Sequence, residues 1–274
     1  MQISKPIVAI LIIQTLAGIY FEVADFYLPY WISDLQLPDA FEAGDLIRDL
    51  FRYTAYVCVV AGVVQLIKLK RIELLPVFKF PLILAFAGNL FWFITCALST
   101  EYSFFDFSAS LPWYAHVLRM INYLLIILSI AHFSKQSIGL VYADAMPVSR
   151  GARSINWLID LLLVLGFGFS NLKRLSSGFV FDNVEFLNNS ASWFFFLFLI
   201  SYYLLTELLF LQTLGKLHNN SFVTFNGNRF TSILFRTLGR CIPFDALSFF
   251  GKRGWHDAVS NTGVSKAGRD SVPT

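Results

Sequence analysis

Charge is the scarcest thing in this sequence. Only 14% of its 274 residues are Asp, Glu, Lys or Arg, against about 25% in soluble domains. The shortfall is concentrated in runs of about 20 residues with few charges or none, which exclude an ordinary water-soluble domain and are candidates to cross a bilayer. A net charge of +3 is too small to point to nucleic acid. Cysteine is scarce as well. Cys58 and Cys96 lie inside apolar runs and Cys241 in a basic tail, so no pair sits in a loop facing an oxidising compartment and no disulfide framework follows. The three read as packing residues. Neither C-x-x-C nor H-E-x-x-H nor G-x-x-x-x-G-K-[ST] occurs, and His116, His132, His218 and His256 are scattered. With no catalytic constellation, the chain reads as a non-enzyme that calls for no cofactor and no metal.

What the chain has in abundance is apolar side chains, 56% of the total, with 30 phenylalanines among them. They fall in six runs: about Pro6 to Phe21, Tyr53 to Ile67, Phe80 to Leu98, Pro112 to Phe133, Pro147 to Ser170 and Ser192 to Leu214. The first follows a short head bearing Lys5 and has no small-residue cleavage site after it, so it reads as an uncleaved span and not as a signal peptide. The acidic loop after it contains DAFEAGDLIRDLF, whose spacing suits a short amphipathic helix on the membrane surface.

Lysine and arginine set the orientation. With the N-terminus inside, the inner side holds Lys5, Lys68, Lys70, Arg71, Lys79, Lys135, Arg150, Arg153 and the basic tail, and the outer side only Arg48, Arg52, Lys173 and Arg174. The expectation is an all-α polytopic protein of a bacterial inner membrane, with six transmembrane helices and both termini cytoplasmic. In the tail, Arg229, Arg236 and Arg240 sit among Phe230, Ile233, Leu234 and Phe235, an amphipathic arrangement suited to the headgroup layer. The segment PFDALSFFG at 243–251 is apolar but too short to span, and is expected to dip half-inserted into the membrane face. Residues 266–274 read as a disordered end.

A charge at the centre of a membrane helix costs about 2.5 to 3.5 kcal/mol on insertion scales, so each one needs a partner or a function. Arg153, Asn156 and Asp160 form a polar stripe on one face of the fifth run, with the cation and the acid about 10 Å apart along the axis. Glu207, nine residues before Lys216 on an antiparallel sixth helix, comes out level with Asp160. Two carboxylates at one depth would share a proton and make a proton or cation site. The competing reading is a static lock, with Asp160 held by Arg153 or by tail arginines. Glu22 and Arg119 are at comparable depth on the outer side and read as a brace between the first and fourth spans. His256 and Asp257 adjoin Trp255 and read as hydrogen-bonded neighbours of an interfacial tryptophan. The small residues of GFG at 166–168 read as a place of close helix approach.

Three stretches in order carry a resemblance to a known family: RSINWLID, then ELLFLQTLGK, then LFRTLGRCIPFDALSFFGKRGWHDAVSNT. Together, over about Pro147 to Ser265, the chain resembles the RDD family, small bacterial membrane modules named for an arginine and two aspartates. The resemblance implies that Arg153 is the family's arginine, Asp160 its first aspartate, and Asp257 its second, with Asp245 the competing match. It further implies a T-x-G-K turn at Thr213, Gly215 and Lys216. HNNSFVTFNGN departs from the strand-like connector expected there, and SNTGVS from a more apolar ending. Residues 1–146 resemble no family and form an unassigned four-helix region.

Family members are supposed to act in transport, some as cation/proton antiporters. The expected function is accordingly transport of a small ion or solute, including proton-coupled cation transport. The alternative is a non-catalytic membrane scaffold or regulatory subunit whose basic tail docks a cytoplasmic partner. The expected partners are the lipid bilayer, a small cation or proton, and a second copy or another protein, with no nucleic acid.

Overall fold

Each of the six apolar runs contains a long helix. In the computed structural model, residues 4–24, 40–69, 76–98, 113–134, 146–178, 184–225, 227–240, 255–260 and 262–266 are described. Cys241, Asp245, the segment 243–251 and the end from 267 lie outside the described residues. The long helices are α1 (Lys5–Ala24), α2 (Ala40–Leu69), α3 (Pro76–Leu98), α4 (Trp113–Ser134), α5 (Arg150–Gly178) and α6 (Val184–Phe210). The stretches Ala43–Lys68, Val77–Cys96 and Arg150–Asn171 are long and apolar enough to cross a membrane. Shorter apolar stretches lie at Lys5–Tyr20, Met120–Phe133 and Phe194–Phe210.

Two boundaries differ from expectation. The acidic segment from Ala40 is no separate surface helix, because it continues without a break into the second apolar run as a helix of 30 residues. No proline interrupts it, and pairs at i,i+3 spacing, Arg48 with Asp45 at 2.8 Å and Arg52 with Asp49 at 3.2 Å, stabilise its polar first half. Helix α3 begins at Pro76, not Phe80, because Pro76 fills the first helical position, where a missing N–H costs nothing.

The chain forms two compact units. In the first, residues 1–132 and 165–195, the core is centred on α3, whose Phe78, Leu82, Ile83, Ala87 and Phe91 are buried. Gly62 on α2 lies against the Phe78 ring so closely that a Cβ would sit 2.6 Å from it. Gly166 on α5 meets Ile47 in the same way, at 2.8 Å, so the small residue admits the neighbouring helix. The outward stripe of α2, namely Val57, Val60, Val64 and Ile67, is apolar and exposed, the surface of a helix whose solvent is lipid.

The second unit, residues 133–164 and 196–274, joins the first half of α5 and the last half of α6 to a small cap. The cap has α7 (Leu214–His218), α8 (Arg229–Arg240) and α9 (Trp255–Val259), with strands β1 (Met146–Pro147), β2 (Ser221–Phe225) and β3 (Thr262–Lys266). The sheet order is β1-β3-β2 and both pairings are antiparallel, with Phe222 opposite Ser265 and Val223 opposite Val264.

This sheet corrects the all-α expectation in three places. SFVTF, read as an irregular departure, is β2, because its β-branched and aromatic side chains suit a half-buried pleat. Asn220, in the left-handed region at φ 53°, makes the turn into it. The residues expected to begin the disordered end include the last residue of β3. The sixth helix stops at Phe210 and not at Leu214. Leu211 takes a left-handed φ of 55°, and its carbonyl accepts from Val223 of β2 at 2.9 Å instead of continuing the helix.

Candidate functional site

Three turns of α5 carry the polar stripe. Residues three and four apart share a helix face, and here that face is buried: Asn156, Asp160 and Leu163 are all closed off, while Ile155 and Leu158 point outward. Asp160 is 2% exposed and every strong donor around it comes from α6 and α7. Tyr202 donates its hydroxyl to Asp160 Oδ1 at 2.7 Å, Thr213 donates to Oδ2 at 2.6 Å, and the Gly215 N–H donates to Oδ1 at 2.9 Å. Thr213 is also the N-cap of α7, its Oγ1 accepting from the Lys216 N–H. Tyr202 in turn accepts from the Leu214 N–H at 3.0 Å. The carboxylate thus fastens the turn after α6 to the middle of α5.

Close approach makes this possible. A Cβ on Gly215 would stand 2.0 Å from the Asn156 carbonyl oxygen, so backbone meets backbone at that point and no other residue fits. Asn156 completes the contact. With its amide oriented to satisfy both ends, it donates to the carbonyls of Gly215 at 2.7 Å and Ala152 at 3.0 Å and accepts from Asn219 and Ser221.

A second carboxylate, Glu207, is fully buried. Its Oε1 accepts from Lys216 Nζ and from Arg240 at 2.7 Å, and its Oε2 accepts from Arg236 Nε at 3.0 Å. Arg236 continues the chain of contacts to Asp257 Oδ1 and, at 2.7 Å, to the Thr262 hydroxyl. Arg153 stands 3.7 Å from Asp257 Oδ2, and His256 Nε2 stands 3.5 Å from Oδ1. The Arg240 guanidinium lies over the Tyr203 ring, 3.8 Å from its centroid. Burial pushes the Lys216 ammonium down to about 8, against the pull of Glu207.

The cluster therefore joins three acids, Asp160, Glu207 and Asp257, to four bases, Arg153, Lys216, Arg236 and Arg240. A cavity of about 30 Å³ opens among Arg153, Asn156, Asp160, Lys216, Arg240 and His256, room for about two waters when one needs ~10–15 Å³.

Of the residues singled out in the sequence, Arg153, Asn156, Asp160, Glu207 and Asp257 come together here, with the T-x-G-K turn among them. Their pairing differs from expectation. Asp160 and Glu207 each have their own protein donors, because the break at Leu211 turns Lys216 back toward Glu207 and brings Gly215 to Asp160. Arg153 faces Asp257, not Asp160. His256 and Asp257 are buried members of the network. The side chains of Glu22 and Arg119 lie outside the described part of the structure, as does Asp245. Sequence reasoning missed Tyr202, and it turned Arg236 and Arg240 toward lipid headgroups. The usable signal was the i,i+4 spacing of those two arginines, which puts both on one face of α8 opposite Phe235 and Leu238.

No family model, no curated protein and no solved structure matches this chain.

Proposed function

We propose that this chain is a six-span protein of a bacterial inner membrane, with both ends cytoplasmic. Its module from about 147 to 265, which resembles the RDD family, carries a small ion or solute across the bilayer. The observation that carries this reading is the polar cavity reaching Asp160, bordered by ionisable groups of both signs. Such groups are costly beside a lipid phase and mark ion and solute paths. Lys216, with its ammonium held near pH 8, supplies a group that exchanges its proton close to neutrality beside that cavity, as coupling to protons requires. Asp160 would stay the fixed anchor of the turn that carries Lys216.

Purified protein in sealed vesicles, loaded with a pH indicator and offered sodium, potassium or chloride gradients, tests the proposal. Wild-type protein should move protons with one of these ions, and Lys216→Met should abolish the coupling. Full coupled flux in both Lys216→Met and Asp160→Asn would sink it.

One observation favours a second reading. Both oxygens of Asp160 and both of Glu207 are occupied by protein donors, which is how a static lock between two helices and a cap is built. A scaffold of that kind would be stable in detergent and move none of these ions.

A further inference from the structure

Helix α8 is largely turned inside out. Arg236 is 1% exposed and Ser232 and Thr237 are buried along with Ile233, while Phe230, Phe235 and Leu238 are about half exposed, with Thr231 beside them. In water this would put the apolar face on the wrong side, since an amphipathic helix normally buries its apolar stripe. Its depth supplies the explanation. Arg236 and Arg240 reach Glu207, and Arg229 donates to the Leu208 carbonyl; both acceptors belong to the apolar stretch Phe194–Phe210 of α6. Helix α8 is thus tied at three points along its length to the last turn of α6, a membrane helix on the six-span reading. At that end of the same unit, α5 also turns apolar residues outward, Ile155 and Leu158. The surface on either side of the carboxylate cluster is apolar where the interior is ionic.

The geometry points to α8 as a lipid-embedded helix: Phe230, Phe235 and Leu238 sit in the bilayer at the boundary of headgroups and acyl chains, while its arginines face the protein. This inverts the usual interfacial helix, in which the cations face water or headgroups. The bilayer is the occupant because a helix anchored to residues 207 and 208 cannot stand clear of the membrane that α6 enters. Arg236 and Arg240 are also withdrawn from headgroup phosphates, so the attachment is chiefly apolar and independent of anionic lipid. It rests on the six-span topology proposed above, in which α6 enters the bilayer, and not on the transport reading, so it holds equally for a scaffold.

The test uses full-length protein in vesicles of phosphatidylcholine with or without phosphatidylglycerol. Cys58, Cys96 and Cys241 are replaced, and one spin label is placed through Phe235→Cys, Leu238→Cys or, as a water-exposed reference, His218→Cys. At 235 and 238, collision with oxygen should exceed collision with a water-soluble nickel complex, the reverse should hold at 218, and the lipid charge should change neither. Nickel access at 235 and 238 equal to that at 218 would overturn the proposal, as would low access to both reagents, which would mean that a second copy or another protein covers the face. If the cysteine-free chain fails to fold, a benzophenone amino acid at Phe235 in the otherwise natural chain gives the same decision. Cross-linking to lipid supports the proposal, and cross-linking to protein overturns it.

Discussion

Arg236 donates through Nε to Glu207 Oε2 at 3.0 Å, with the arginine 1% and the glutamate 0% exposed. The ion pair joins α8 to α6 with both partners buried. Burying such a pair contributes little net stability, but removing one member leaves a charge without compensation.

Glu207→Gln should therefore cost about 3–5 kcal/mol, since it leaves Lys216, Arg236 and Arg240 facing a neutral amide. The check is the thermal midpoint of the purified protein in detergent. A midpoint close to wild type would mean that Asp257 and Tyr203 hold the arginines without Glu207.

Thr213→Val removes both the hydroxyl that binds Asp160 and the cap of α7. The expected loss is about 1–2 kcal/mol, and Thr213→Ser, which keeps the hydroxyl, should restore most of it. If valine and serine behave alike in thermal unfolding, the bond at 2.6 Å contributes nothing.

The glycines form a graded series. Gly215→Ala should be the most damaging, because its Cβ meets backbone at 2.0 Å and backbone cannot step aside. Gly239→Ala, whose Cβ would stand 2.9 Å from the His256 Cα, should cost less, about 1–3 kcal/mol. At Gly151 nothing lies within 4 Å, and alanine in the first turn of α5 should be neutral or stabilising by up to about 1 kcal/mol. Yield and thermal midpoint of the three variants give the order.

Stability should rise with alkaline pH through Lys216. Its folded-state value, about 8, lies below the ordinary 10.5, so between these values the unfolded chain binds the extra proton and folding is favoured as pH rises. Below about pH 8 the cost of burying the ammonium is present in full, and above about 10.5 it is gone. The thermal midpoint should climb from pH 8 toward 10 in the wild type, and this climb should be absent in Lys216→Met.

The places of the six helices were legible because hydropathy measures what a bilayer demands. Their ends were not, because those depend on single backbone angles such as the φ of 55° at Leu211, which an apolar leucine does not announce. Arg153, Asn156 and Asp160 were legible as a stripe on one helix face, Thr213, Gly215 and Lys216 through the resemblance to a family's turn, and Glu207 through a depth count that placed it inside the apolar run but not beside its partners. Tyr202 escaped because a tyrosine among phenylalanines and leucines looks like packing, and its hydroxyl matters only once Asp160 stands opposite it. The arginines of α8 escaped for the opposite reason. Cations in a short tail helix look suited to lipid headgroups until an acid inside the apolar run claims them.

The middle strand has a consequence for how the protein is made. β3 lies between β1 and β2, yet it is the latest of the three to leave the ribosome, so the two earlier strands keep open edges until residues 262–266 have emerged. A chain broken off before Thr262 would carry both bare edges and an Arg236 deprived of its threonine contact. Closure of the cap therefore waits until synthesis has run through β3.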